Sequence, residues 1–442
     1  MSFIRGEGRL QSTLFPVMLE DLIPADHVCR VIDAFVGRLD MQAAGFVRAE
    51  PAETGRPGYD PRDLLKLYTY GYLHQIRSSR RLEAECRRNV EVMWLLERLY
   101  PDHKSIAEFR RVHREAVEKT GAELVRLARS VGLIRGEWVA IDGSKFGAVS
   151  SAESVREREA MARYLDELEK GDSEEEVIID PQAVAAALEK LRQHPEPEAD
   201  FMKTRQGKVP AYNVQTAVDA EHGLMVAQQV TTEKNDLRSL LPMAEAAQQA
   251  VGEPEQTMHV VADAGYSNAT HAAECERAGI VVHVPAVQVA NRQGDGTLFK
   301  RTQFQYQPDS DSYVCPNGNT LQRQRQDGRS VIYAARQQDC NACALKPRCT
   351  LAQRRIVKRH RYQAALERMQ AGATAEAMRL RRSIVEHPFA FLKYRIFGYP
   401  RFLLRGVHGA STEIGLASIA YNLKRMMSLL GGKVLTAAFV LS

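Results

Sequence analysis

The sequence predicts an α/β fold: a mixed sheet flanked by helices, preceded by an all-helical region and interrupted by a small Cys-rich insert. Three observations carry this. Apolar residues recur at helical spacing over roughly the first 130 residues. From Trp138 onward, short β runs alternate with helical stretches, and such alternation builds a sheet covered by helices. Four cysteines then cluster between Cys315 and Cys349. At 442 residues the chain is too long for one ordinary core, so two or three units are expected.

The helical region comes first. Asp60-Pro61 suits a helix start, and Leu64, Leu65, Leu67, Tyr68, Tyr72 and Leu73 follow at helical spacing. Leu82, Cys86, Val90, Met93 and Leu96 continue the pattern as a second helix. Pro101-Asp102 breaks the chain. Ser105 as N-cap, with Glu108 three residues on, opens a third helix from Ile106 to about Val131. Arg77, Arg80, Arg81, Arg87, Arg88, Arg110 and Arg111 fall on polar faces. Residues 1–132 therefore read as a helical domain: an ordinary small bundle, or, as the rest of the chain favours, a DNA-binding one.

Charge distribution points either to a polyanionic partner or to solvated helix faces. The net charge is only +5, but residues 56–114 hold 13 Lys/Arg against 8 Asp/Glu, and residues 351–405 hold 13 against 3. Residues 150–200 reverse the balance, with 6 basic against 15 acidic. Two basic regions around an acidic insert fit a polyanion gripped at chosen surfaces. No uninterrupted apolar run is long enough to span a membrane. Met1–Leu10 carries Arg5, Glu7 and Arg9 in place of an apolar leader, so a cytoplasmic location is expected.

The sheet region begins with Trp138–Ile141, a short β run ending in Asp142-Gly143. An acidic helical insert follows, from about Ala152 to Gln193. Ala211–Val218 and Leu224–Thr231 are strands joined by a turn. A helix (Leu237–Ala250), a strand (His259–Ala262) ending in Asp263-Ala264-Gly265, a helix (Ala269–Ala278) and a strand (Ile280–Val284) complete the series. Three strands, helix, strand, helix, strand is the order of an RNase H-like core. Residues 133–285 form its first part, with the acidic insert at 150–200.

Asp142 and Asp263 share a context in this reading: each ends an apolar strand before a small-residue turn. Ligands gather at the carboxyl ends of strands in such sheets. Two acids there can share hard Mg²⁺ or Mn²⁺, which prefers carboxylates plus phosphate oxygens. A metal pair about 4 Å apart suits phosphoryl transfer. A turn-capping Asp is the plain alternative for either residue alone. Asp219 and Asp236 compete for the second position. Arg379, Arg382, Glu386 and Lys393 share one helical face. Glu386 is then a salt-bridge partner of those bases or a metal ligand flanked by them. Pro388 is expected to kink or restart that helix.

Ile141-Asp142-Gly143-Ser144-Lys145, Val261-Ala262-Asp263-Ala264-Gly265-Tyr266, and Arg382 with Glu386 and Lys393 resemble the signatures of DDE transposases from bacterial insertion sequences. The last group is similar to the family's Y-x₂-R-x₃-E-x₆-K pattern, with Arg379 where the pattern has Tyr. Gly55-Arg56-Pro57 through Leu96 resembles the helical domain of one large branch, which also carries a Cys-rich insert before the Glu helix. The resemblance covers nearly the whole chain. It implies Asp142, Asp263 and Glu386 as catalytic metal ligands, and Arg382 and Lys393 as DNA contacts. It also implies DNA cleavage at the element's ends, freeing a 3′-OH that attacks target DNA. The implied partners are terminal inverted repeats and target DNA, bound by a homodimer in the bacterial cytosol or nucleoid. Arg379, Arg80, Arg81, Arg87 and Arg88 are further candidate DNA contacts.

Cys315, Cys340, Cys343 and Cys349 supply four thiolates, a set that suits structural Zn²⁺. Reduced thiols without metal are the alternative. Residues 286–355 thus read as a zinc-binding insert, with Lys346, Arg348, Arg354, Arg355, Lys358, Arg359 and Arg361 in or beside it as possible DNA contacts. Residues 356–442 read as the C-terminal helical part of the core, carrying Glu386. Cys29, Cys86 and Cys275 read as buried apolar residues. Two other functions compete: an RNase H-like nuclease or resolvase without strand transfer, and a non-enzymatic zinc-containing DNA-binding regulator.

Overall fold

In the computed structural model, residues 17–50, 58–170, 181–204, 207–252, 256–287 and 298–441 are described. Gly55-Arg56-Pro57 and residues 171–180 of the acidic insert lie outside them. The fold is mixed α/β with an all-helical N-terminal region. The chain forms two compact units. The first comprises Met1–Asp236, Met243–Met258 and Leu380–Ser442; the second comprises Leu237–Pro242 and His259–Arg379. Among the described residues no helix is long and apolar enough to cross a membrane.

In the first unit, Asp60 caps the helix Pro61–Leu73 by accepting the Arg62 N–H at 2.8 Å, with Pro61 at the first helical position, where its missing N–H costs nothing. The expected second helix is two, Ser79–Arg88 and Val90–Leu95, parted at Asn89. The expected third helix is also two, His103–Val112 and Arg114–Ser130. Its cap is Asp102, not Ser105; the carboxylate accepts from Lys104 and Ser105 backbone N–H groups. The break falls at His113, whose ring is held by Phe109 O at 2.9 Å and the Val47 N–H at 3.0 Å.

These helices do not form a free-standing domain. The helix Gly406–Leu430 is buried along Ala410, Ile414, Leu416, Ala417, Ile419, Ala420 and Leu423. A helix apolar on nearly every side must be enclosed. It packs against Pro61–Leu73 and Arg114–Ser130. Arg77 and Arg110 belong to this interior and not to a polar face. Arg77 donates to Glu413 at 2.8 Å and lies over the Phe397 ring, while Arg110 donates to the Arg77 carbonyl at 2.9 Å.

Among the described residues the first unit also holds four strands: β1 (Trp138–Gly147), β2 (Asp200–Thr204), β3 (Gly207–Asp219) and β4 (Met225–Thr231). β3 pairs antiparallel with the other three. The register sets Asp142 against Thr216 and Ser144 against Val214. β1 is longer than the apolar run predicts, because β3 offers backbone partners as far as Ala211. The acidic insert forms helices Ala152–Lys170 and Pro181–Arg192.

The second unit holds β5 (His259–Val261) and β6 (Val281–His283), paired in parallel and connected through the helix Ala269–Arg277. A second sheet follows: β7 (Gln305–Gln307), β8 (Ser312–Val314), β9 (Thr320–Asp327), β10 (Ser330–Ala334) and β11 (Ile356–His360) in an antiparallel meander. β11 carries the Cys-rich sheet past residue 355, where a helical segment was expected. Phe299, Phe304, Tyr313, Leu321, Tyr333 and Val357 form its core.

Candidate active site

Asp142 is the fifth of ten residues in β1, so it lies within the strand and not at its end. Strand alternation puts Asp142, Ser144 and Phe146 on one face and Gly143 and Lys145 on the other. On the Asp142 face the chain returns as the helix Ala375–Ala390, whose residues from Leu380 onward belong to the first unit. Pro388 lies inside this helix, and a π-helical stretch, Phe391–Ile396, follows directly. Arg381 Nη2 donates to Asp142 Oδ1 at 2.8 Å, and Lys393 Nζ donates to Ser144 Oγ.

These residues line a cleft of about 850 Å³ together with Val385, Glu386, Phe389 and Tyr399. Beneath it lies a buried aromatic cluster: Phe146 stacks on Phe402 at 5.7 Å and meets Phe397 edge-on at 5.3 Å. Its rim is tied to the end of β1. Gly147 exchanges backbone hydrogen bonds with Pro400 and Phe402, and Arg401 donates to the carbonyls of Ala148 and Val149.

The structure therefore brings Asp142, Glu386 and Lys393 to one cleft, with Arg381, which the sequence pattern does not single out. Arg382 is exposed and does not line it; Arg379, also exposed, ends the second unit. Asp263 lies in the second unit, at the end of β5, where its carboxylate accepts the Gly265 N–H at 2.8 Å and caps the turn Ala264–Tyr266.

The two competing aspartates have structural work. Asp219 is buried and accepts the Gly136 and Glu221 N–H groups at 2.9 and 3.0 Å; burial pushes its carboxyl above the usual range. Asp236 accepts from Asn213 and Gln215, each at 2.7 Å, and pairs with Lys145 on the face of β1 opposite Asp142. A Cβ at Gly143 would displace the Gln215 amide and the Asp236 carboxylate that meet there.

Arg80, Arg81, Arg87 and Arg88 are exposed on the helix Ser79–Arg88. Arg88 pairs with Glu85, and Arg87 lies over the Tyr100 ring. In the second unit Arg355 and Arg359 are buried and face inward. Arg355 donates to the carbonyls of Cys349 and Phe299, and Arg359 to Tyr313 and Glu367.

Cys315, Cys340, Cys343 and Cys349 line a single cavity of about 20 Å³, room for roughly one small ion. Two turns present the first three, Gly318 N–H donating to Cys315 O and Cys343 N–H to Cys340 O, and Cys349 ends the short helix Lys346–Cys349. Burial raises the Cys349 thiol above its ordinary value, a cost that a bound cation would reverse. Cys29, Cys86 and Cys275 are buried. Cys29 sits near His27 and Glu91, but burial pushes its thiol up to about 12, which keeps it protonated.

Comparison with known proteins gives two family matches. Residues 17–112 match "Transposase domain (DUF772)" and residues 171–423 match "Transposase DDE domain". The second span includes Asp263 and Glu386 and begins after Asp142. The comparison with curated proteins gave no match. Among solved structures, the piggyBac transposase synaptic complex with hairpin DNA aligns over 93% of this chain and 78% of that one, at 9% identity and a TM-score of 0.27. The DDE-domain match spans more than half of the chain, and the chain belongs to the transposase DDE-domain family, whose members cut and join DNA strands with divalent metal ions.

Proposed function

We propose that this transposase cleaves DNA at the ends of an insertion sequence and transfers the freed 3′-OH into target DNA, with Asp142, Asp263 and Glu386 as its catalytic carboxylates. One observation carries the reading: Asp142 and Glu386 come from distant parts of the sequence, yet line one basic-edged cleft. The donor set is hard oxygen, with Ser144 Oγ beside it, and suits Mg²⁺ or Mn²⁺. Bound there, the metal pair supplies charge stabilisation to the attacking and leaving oxygens of the phosphodiester.

The chain's own groups do the rest. Lys393, held over the Phe146 and Phe389 rings, offers a cation to the scissile phosphate. Arg382 and Arg379 point charge to solvent, where a DNA backbone would lie. Arg80, Arg81, Arg87 and Arg88 offer a second phosphate-binding strip. The four cysteines hold a structural Zn²⁺ that pins the two turns together. Terminal inverted repeats are the cognate DNA, and pairing two ends calls for a homodimer on that DNA.

The test is a nicking assay on a plasmid carrying the inverted repeats found beside the gene. Mg²⁺-dependent nicks at the repeat boundaries support the proposal. Nicks scattered without regard to the repeats would favour a general nuclease, and no nicks with tight binding would favour a regulator.

A further inference from the structure

We infer that Arg381 is an internal counterion that holds Asp142 against metal loading until a polyanion draws the guanidinium away. This rests on the proposed reading of Asp142 as a metal ligand. The guanidinium and a divalent cation compete for the same oxygen, since Arg381 Nη2 already lies 2.8 Å from Asp142 Oδ1. The pair is sheltered, with side chains only 15% and 23% exposed, so water screens it less than a surface pair. A metal bound to Asp142 would place two positive charges beside Arg381, and their repulsion weakens the hold of each on the carboxylate.

The cleft provides somewhere to go. Arg381 lines it beside Val385, Phe389 and Lys393. A phosphate entering there would meet a planar fork of donors built for bidentate contact. Arg381 is thus the partner of Asp142 before DNA arrives and a phosphate ligand afterwards. Metal and DNA binding become linked, each strengthening the other by the same factor. Arg382, the neighbouring basic position of the family pattern, is exposed and does not line the cleft.

The experiment is Mn²⁺ titration of the full-length protein, freed of Mg²⁺ and Mn²⁺ but with zinc retained, by calorimetry without DNA. R381Q is expected to bind Mn²⁺ about tenfold more tightly than wild type, the order expected when a nearby cation is removed. R381K, which keeps the charge, stays close to wild type. In a D142N background the R381Q gain disappears. Mere structural damage would lower affinity, not raise it, and R381L repeats the comparison if R381Q folds poorly. Should neither neutral variant gain affinity while D142N loses it, the counterion role is overturned and the metal reading of Asp142 survives. If D142N binds Mn²⁺ as wild type does, the metal reading itself fails, and the inference with it.

Discussion

Arg77 Nη1 lies 2.8 Å from Glu413 Oε2 in the interior of the first unit, and both side chains are withdrawn from solvent. Glu413 also accepts the N–H groups of Leu403 and Leu404 at 2.6 and 2.7 Å. One carboxylate thus binds the turn after the helix Pro61–Leu73, the loop at Leu403-Leu404 and the helix Gly406–Leu430 into one piece. R77M leaves that charge buried and unmatched. The expected cost is about 3–5 kcal/mol, read as a lower urea midpoint with an unchanged slope.

The pH dependence of stability follows from His113. Burial holds its imidazole below the ordinary value of 6.5. The neutral ring keeps Nε2 free to accept the Val47 N–H. Acid therefore protonates the unfolded chain first, so the group's contribution is full above 6.5 and is lost as pH falls toward its folded-state value. His74, His283, His360 and His387 are shifted the same way, each mainly by burial. The midpoint of thermal unfolding should drop between about pH 7 and pH 5, and less steeply in H113N.

The cysteine cavity predicts one Zn²⁺ per chain by elemental analysis after purification without chelator. C343S should lose it and leave the remaining thiols open to a disulfide reagent. Full zinc content in C343S would place the ion elsewhere.

The arginine strip predicts a salt-dependence experiment. Replacing Arg80, Arg81, Arg87 and Arg88 together by Ala should weaken binding to any duplex. It should also flatten the plot of log affinity against log salt by about 0.9 for each phosphate that is no longer neutralised. An unchanged slope would remove this face from the DNA interface.

The sequence made some of this plain and hid the rest for identifiable reasons. Asp60-Pro61 announces its helix because cap and first turn are local chemistry. Asp263 was legible in the same way, since strand end and turn adjoin in sequence. The strand-end placement of Asp142 was mistaken: β1 continues through polar residues because β3 pairs with them, and no local pattern reports that. Arg381 was hidden because helical spacing from Glu386 selects Arg379 and Arg382, whereas packing turns the face of Arg381, Val385 and Phe389 toward the cleft. Arg77, Arg110, Arg355 and Arg359 read as solvated charge, yet each is buried with partners far away in the chain.

The most direct measurement is strand transfer by the purified protein with Mg²⁺ and a labelled, pre-cut repeat end bearing a 3′-OH. Wild type should give joined products. D142N, D263N and E386Q should each lower the yield by at least on the order of 10³-fold, while melting near the wild-type temperature. Joining by D142N at the wild-type rate, or nicking by wild type with no joined product, would contradict the account.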